Sequence, residues 1–206
     1  MTGELALWIV ASYLLGAIPT SFLAARYLGG VDLRRVGSGN LGATNLYRAL
    51  GWRFAVPVGL VDAAKGAIPV LVFAPRAGGG VTVALLLGAC AIAGHVFSVF
   101  VGFKGGKGVA TSAGALLGLA PLALLVALAV WAVVVGLTRY VSLGSILAAA
   151  VFPVAVAWFY PGSFEVLVFS IGLAGLIIAF HQANVRRLLA GTESRFGTRS
   201  APGAGQ

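Results

Sequence analysis

The stretch VATSAGALLGLAPLALLVALAVWAVVVGL, residues 109–137, decides the fold. Apart from Thr111 and Ser112 it is apolar, and no charge interrupts it. A membrane span takes about 20 mostly apolar residues. Read as one helix, the stretch gives the chain six spans. Read as two, with a turn at Leu119–Pro121, it gives seven.

The other spans are plainer. Leu5–Leu28, Phe54–Phe73, Val81–Phe100, Leu143–Tyr160 and Glu165–Phe180 are continuous apolar runs, as is Pro121–Leu137 within the quoted stretch. Continuous runs, not alternating ones, mean helices rather than barrel strands. Pro19, Pro69 and Pro153 are expected to kink their helices. Gly114-x-x-x-Gly118 is a weak packing motif, and no internal repeat is evident.

Basic residues choose between the two counts. Arg26, Arg34, Arg35, Arg48 and Arg53 surround the first long loop, and Lys104 and Lys107 follow the third span. Arg139 precedes Leu143, and Arg186, Arg187, Arg195 and Arg199 lie in the tail. With seven spans all of these fall on one side and only Arg76 on the other; with six, Arg139 is separated from the basic tail. Positive residues stay in the cytoplasm. The expected fold is therefore an all-α integral membrane protein of seven transmembrane helices, with the N-terminus outside and the C-terminus cytoplasmic. Twelve helical residues, 109–120, rise only about 18 Å against a ~30 Å hydrocarbon core. The fourth helix is thus expected to be short or tilted, continuing a re-entrant loop. Residues 1–197 read as one membrane-embedded catalytic domain and 198–206 as a disordered tail.

Composition agrees. Of 206 residues 60% are hydrophobic and 9% charged, where a soluble domain carries roughly 25% charged residues. Mean hydropathy is +1.02. Lys and Arg number 14 against 5 Asp and Glu, a net charge of +9. In a soluble chain that surplus would suggest nucleic acid; here it first sets topology, and no nucleic acid is expected. The single cysteine, Cys90, excludes an internal disulfide framework. The first apolar run is preceded by Glu4 and no basic residue, and is too long for a secretory signal.

Three polar segments stand out, all on the inferred cytoplasmic side. The first is Val36-Gly-Ser-Gly-Asn-Leu-Gly-Ala-Thr-Asn45, followed by Arg48. Its Gly37-x-Gly39-x-x-Gly42 spacing formally matches a dinucleotide fingerprint, but no strand precedes it, so that match is discounted. Small residues still allow backbone N–H groups to converge on an anion. Ser38, Asn40, Thr44 and Asn45 add donors, and Arg48 can fork a phosphate. The competing reading is a turn-rich loop whose Ser, Asn and Thr cap helices.

The second segment runs from Gly94-His95 through Phe103-Lys-Gly-Gly-Lys-Gly108 to Thr111. It lacks the spacing and the Ser/Thr of a P-loop. Two lysines around two glycines suggest an anion cradle, or else an anchor to lipid headgroups. His95 reads as a helix-packing residue before it reads as a catalyst. The third segment is His181-Gln-Ala-Asn184-Val-Arg186-Arg187, with Gly191-Thr-Glu193 behind it. His181 and Asn184 share a helix face. Glu193 reads as a surface acid tying down arginines. Within the bilayer, Asp62 and Lys65 stand at i and i+3 and can pair.

With so few carboxylates, no metal and no other cofactor is expected, since Mg²⁺ sites use Asp or Glu. The residues point to phosphorylated, lipid-soluble substrates. A transporter using the same basic pocket would need polar residues on several helices at midplane, and only Asp62–Lys65 fits that.

On Gly37–Asn45, Gly94–Phe100 with Phe103–Thr111, and His181-x-x-Asn184 with Gly191–Glu193, the chain resembles the bacterial acyl-phosphate:glycerol-3-phosphate acyltransferases of the inner membrane. The resemblance implies transfer of a fatty acyl group from acyl phosphate to the sn-1 hydroxyl of glycerol 3-phosphate. The products would be lysophosphatidic acid and phosphate, in the first acylation of phospholipid synthesis. It implies a multi-pass protein of the bacterial cytoplasmic membrane, with its active site facing the cytoplasm among membrane lipids. An enzyme that makes acyl phosphate is a conceivable peripheral partner. Carried over by motif, Ser38, Arg48, Lys107, His181 and Asn184 would bind and align glycerol 3-phosphate, with Ser145 added to the set. Ser38, His181 and Asn184 are the catalytic candidates. Gly39, Asn40, Gly42, Thr44, Lys104, Gly105, Gly106 and Gly108 would hold the acyl phosphate, with Asn45 in the same substrate-binding set. His181 is the obvious base by side-chain chemistry. No His with an Asp five residues on exists, because Phe100 follows His95 at that spacing and Arg186 follows His181. With no carboxylate to orient His181, the expectation is that a phosphate oxygen of the donor takes the proton.

Overall fold

Pro19 breaks the first expected span. In the computed structural model, which describes residues 3–197, α1 (Gly3–Ala17) ends before it and α2 (Thr20–Gly29) starts after it. Proline removes one amide from the helical ladder, and freed carbonyls inside a bilayer need other donors. The Ser98 hydroxyl donates to the Ala17 carbonyl at 2.5 Å, and Lys65 Nζ to the Ile18 carbonyl at 2.8 Å. The expected tail, residues 198–206, lies outside the described residues.

The remaining helices follow the apolar runs closely. α3 (Ala43–Leu50) is short and leads into α4 (Trp52–Arg76), which runs through Pro57 and takes a π-type turn over Pro69–Phe73. α5 covers Val81–Val96, and α6 covers Val109–Leu119. α7 (Pro121–Thr138), α8 (Val141–Phe159), α9 (Phe164–Phe180) and α10 (Gln182–Leu189) complete the chain. Pro69 thus marks a local change of helix type, while helical bonding passes Pro153 without a break. No strand occurs among the described residues.

Five of these runs are long and apolar enough to cross a membrane, and the α9–α10 pair, bent by 57° at His181, makes up to six. α6 is a shorter apolar helix. The break expected at Leu119–Pro121 falls at Ala120, whose φ of −152° and ψ of 68° end one helix before Pro121 opens the next.

Backbone contacts divide the described chain into two compact units, residues 3–115 and 116–197, with the boundary inside α6. In the first unit glycines let helix backbones touch. A Cβ on Gly16 would run into the Ala91 carbonyl, and one on Gly94 into the Tyr13 carbonyl, so α1 and α5 lie against each other at both points. Gly66 and Gly114 do the same for α4 and α6, against the Thr111 and Ala63 carbonyls. Small-residue contact replaces the hydrophobic drive that lipid cannot supply. In the second unit α7 packs on α8 and α8 on α9. Gly144 admits Trp131 and Val135, whereas Leu137 and Trp158 are about four-fifths exposed, as suits a lipid-facing surface.

Candidate active site

In the first unit, the Val36–Asn45 loop is closed by its own last residue. Asn45 is fully buried. Its Oδ1 accepts the Ser38 amide at 3.1 Å, and its Nδ2 donates to the Leu33 and Val36 carbonyls at 3.2 and 3.0 Å. Gly37 takes φ +59°, a left-handed conformation suited to glycine, and a side chain there would strike Asn45 Oδ1. The Asn45 side chain therefore holds the loop. The Gly39 amide is also committed, donating to the Val36 carbonyl at 3.1 Å. Gly42 caps α3, which carries Thr44 in its first turn and Arg48 in its last. These two stand four residues apart and so share a helix face. Ser38 is exposed at the loop tip, and Asn40 is half-buried beside Gly42.

Asp32, just upstream, forks the Arg34 guanidinium at 2.7 Å. That hydrogen-bonded pairing holds its carboxyl down to about 2. It is a stable anion and a poor base.

The second glycine loop lies on the C-terminal end of α5. The Gly105 amide donates to the Val96 carbonyl at 2.9 Å and the Gly106 amide to the His95 carbonyl at 3.1 Å. Those carbonyls have no intrahelical partner, so the loop caps the helix. The sequence suggested that the amides of Gly39, Gly105 and Gly106 face an anion; in the structure all three are used within the protein. Gly108 (φ +77°) turns the chain into α6, and its carbonyl accepts the Ser112 amide at 2.7 Å. Lys104 is exposed and Lys107 half-buried on either side.

Asp62 and Lys65 form the expected pair, 2.8 Å apart and nearly inaccessible. The hydroxyl of Thr20 also donates to Asp62 Oδ1. Thr20 was missed by the sequence reading, although a hydroxyl directly after an intramembrane proline was the available signal.

In the second unit, His181 sits at the α9–α10 bend, 3% exposed. Its Nδ1 lies 2.7 Å from the Ile177 carbonyl. A carbonyl only accepts, so Nδ1 carries the proton. Asn184 is buried one turn on, donating through Nδ2 to Glu193 Oε1 at 2.7 Å. The same oxygen accepts the Ser142 hydroxyl at 2.8 Å, and Oε2 accepts Arg187 Nε at 2.6 Å. Glu193 is thus not a surface acid. Burial raises its pKa, but donors from Asn184, Arg187 and Ser142 outweigh that and hold it below the usual glutamate range. Ser145 donates to the Val141 carbonyl at 2.9 Å, within α8. Arg139 bonds the Phe196 carbonyl at 3.0 Å, folding the end of the described chain back.

Residues 6–191 match the family model described as Glycerol-3-phosphate acyltransferase. The chain belongs to this acyltransferase family. The match includes every candidate from Ser38 to Asn184 and stops two residues short of Glu193. Among curated family members, the glycerol-3-phosphate acyltransferase of Trichlorobacter lovleyi is 49% identical, with 92% of this chain and 96% of that protein aligned. That of Desulforudis audaxviator is 50% identical over 91% and 93%. A crystal structure of PlsY (YgiH), an integral membrane glycerol 3-phosphate acyltransferase, in its glycerol 3-phosphate form, superposes with a TM-score of 0.86. It shares 42% identity, with 95% of this chain and 97% of that one covered. The lysophosphatidic acid form gives 0.84 at 40% identity. Family membership and the run of apolar helices together make this a multi-pass membrane protein.

Proposed function

We propose that the chain transfers a fatty acyl group from acyl phosphate to the sn-1 hydroxyl of glycerol 3-phosphate, releasing lysophosphatidic acid and inorganic phosphate. The observation that carries this reading is the pair of glycine loops, the first followed by Arg48 and the second flanked by Lys104 and Lys107, in a chain of five acids of which three have a cationic partner. Asp32 pairs with Arg34, Asp62 with Lys65 and Glu193 with Arg187. The basic groups and loop backbone suit phosphorylated substrates, and Asp32, Asp62 and Glu193 are each held by a cation. Bound glycerol 3-phosphate and lysophosphatidic acid in the PlsY crystal forms support the acceptor and the product.

The hydroxyl oxygen attacks the acyl carbonyl, and the bond from that carbon to the phosphate oxygen breaks. The hydroxyl proton passes to an oxygen of the departing phosphate. Acyl phosphate is already activated, so this step needs no separate base. Ser38, Arg48, Lys107, His181 and Asn184 bind and align glycerol 3-phosphate, with Ser145 assisting. Lys104, Asn40, Thr44, Gly42 and Gly108 take the donor phosphate. Since the amides of Gly39, Gly105 and Gly106 are committed, backbone donors come from Gly42, Gly108 and the first turn of α6. Oxyanion donors of this kind supply about 3–4 kcal/mol each in a well-studied case. His181 presents Nε2 as an acceptor when neutral. A carbonyl orients it without the negative charge that would raise its basicity, so it acts in binding.

Seven spans, with α6 as the short fourth, place the N-terminus outside and the three polar segments in the cytoplasm. Residues 1–197 work as one catalytic domain of the bacterial inner membrane, supplied by an acyl-phosphate-forming enzyme. The support is charge: seven spans leave only Arg76 outside. Purified protein given acyl phosphate and radiolabelled glycerol 3-phosphate, without added metal, should form lysophosphatidic acid. Acyl-CoA and acyl-carrier protein should not replace the donor. No product from acyl phosphate under varied lipid conditions would overturn the reading.

A further inference from the structure

His95 lies directly under the second glycine loop. It occupies the last turn of α5 and is 7% exposed. Its carbonyl holds the Gly106 amide, and a side chain on Gly106 would collide with its Nε2. Backbone and ring of one residue therefore both bear on Gly106. On the other side of the ring, Nδ1 faces Asp62 Oδ1 at 3.7 Å, beyond hydrogen-bond length, and has no hydrogen-bond partner among the described residues.

Behind the ring lies a cavity of about 10 Å³ lined by Thr20, Leu41, Lys65, Gly105 and Gly106 together with His95. That is close to the minimum for one water molecule. Leu41 belongs to the first glycine loop and Gly105–Gly106 to the second, so both loops rest on this polar centre. A buried ion pair is weak as a source of stability, since well-packed apolar residues often do as well or better. A buried Asp–Lys pair, an under-bonded histidine and a hydroxyl at this one place need another reason.

We propose that His95, backed by Asp62, is a positioning residue for the acyl donor: it sets the height of the Gly105–Gly106 backbone, and with it the placement of Lys104, Lys107 and Gly108. This rests on the acyl-phosphate reading above. His95 does not touch substrate. It acts through the loop, so its loss raises the KM for acyl phosphate well beyond that for glycerol 3-phosphate, for which Lys107 is the one ligand this loop supplies.

The test is steady-state kinetics of His95→Ala, His95→Gln, Gly106→Ala and the double variant His95→Ala/Gly106→Ala. Small displacements at a reacting centre cost up to about 100-fold, and about tenfold in donor KM is expected for His95→Ala. The acceptor KM should stay within about twofold, and His95→Gln, which keeps a polar side chain, should recover part of the loss. Gly106→Ala should raise donor KM, and the double variant should be better than Gly106→Ala alone, because the side chain it strikes is gone. An equal rise in both KM values, an unchanged donor KM, or additive losses in the double variant would overturn the proposal. Should His95→Ala fail to fold, Thr20→Val, which removes the hydroxyl from Asp62, gives the same split or overturns it. Wild-type protein that does not use acyl phosphate would instead strike the parent reading.

Discussion

Asn184 and Glu193 are joined by a 2.7 Å hydrogen bond that fixes which way the Asn184 amide faces. With Nδ2 spent on Glu193 Oε1, the carboxylate sets the orientation of a substrate-binding candidate it does not replace. Glu193→Gln puts an amide NH₂ where either Arg187 or the Asn184–Ser142 pair now donates. The variant should lose about 2 kcal/mol, the scale of an unmade hydrogen bond to a charged group, with a lower melting temperature and reduced turnover.

The same carboxylate gives a pH signature. Its hydrogen bonds to Asn184, Arg187 and Ser142 hold its folded pKa below the ordinary glutamate value. A depressed carboxylate pKa contributes stability that is present above the unfolded value and lost as pH falls through the folded one. Thermal unfolding of the wild type should therefore shift to lower temperature below pH 4.5. Glu193→Gln should lack that part of the acid sensitivity.

Asn45 is expected to matter for loop shape rather than for ligand contact. Asn45→Ala removes the partner of the Ser38 amide and of the Leu33 carbonyl, and leaves the Val36 carbonyl with the Gly39 amide alone. Turnover should fall steeply, with a stability loss of about 1–3 kcal/mol. Turnover and KM as at wild type would show that the loop does not depend on this side chain.

Glycines divide by what faces them. Gly66→Ala drives a Cβ into the Thr111 carbonyl, and overpacking of that kind costs about 1–3 kcal/mol. At Gly172 and Gly175 a Cβ meets nothing within 4 Å, and neither has positive φ. Alanine there should be neutral or stabilising by up to about 1 kcal/mol, the helix preference of alanine over glycine. Melting temperatures in detergent separate the two classes.

His181→Gln distinguishes binding from base chemistry. As a binding residue, His181 should raise the glycerol 3-phosphate KM by about tenfold or more while saturated turnover stays within an order of magnitude. Lost turnover at unchanged acceptor affinity would make His181 the base.

The helices were legible because each apolar run is a local signal. Pro121 and Ala120 lie beside each other, and so do Pro19 and the break it causes. The motifs were legible as residue types in order: Ser38 with Arg48, Lys104 with Lys107, His181 with Asn184. Less visible was which polar groups are already used. Glu193 looked like a surface acid because its partner Ser142 is 51 residues away. Lys65 reached the Ile18 carbonyl across 47 residues, a pairing created only when Pro19 opens the helix.

Sequence alone determined that this chain lives in a membrane and where its helices run, and it supplied the candidates for phosphate binding, because hydrophobicity and side-chain chemistry belong to each residue. Tertiary structure decided that the amides of Gly39, Gly105 and Gly106 face the protein, that Asn45 closes its loop, and that Asp62 and Glu193 are spent on internal partners. Hydrogen bonds are directional and saturable, so a donor's availability depends on what folding brings within 3 Å of it.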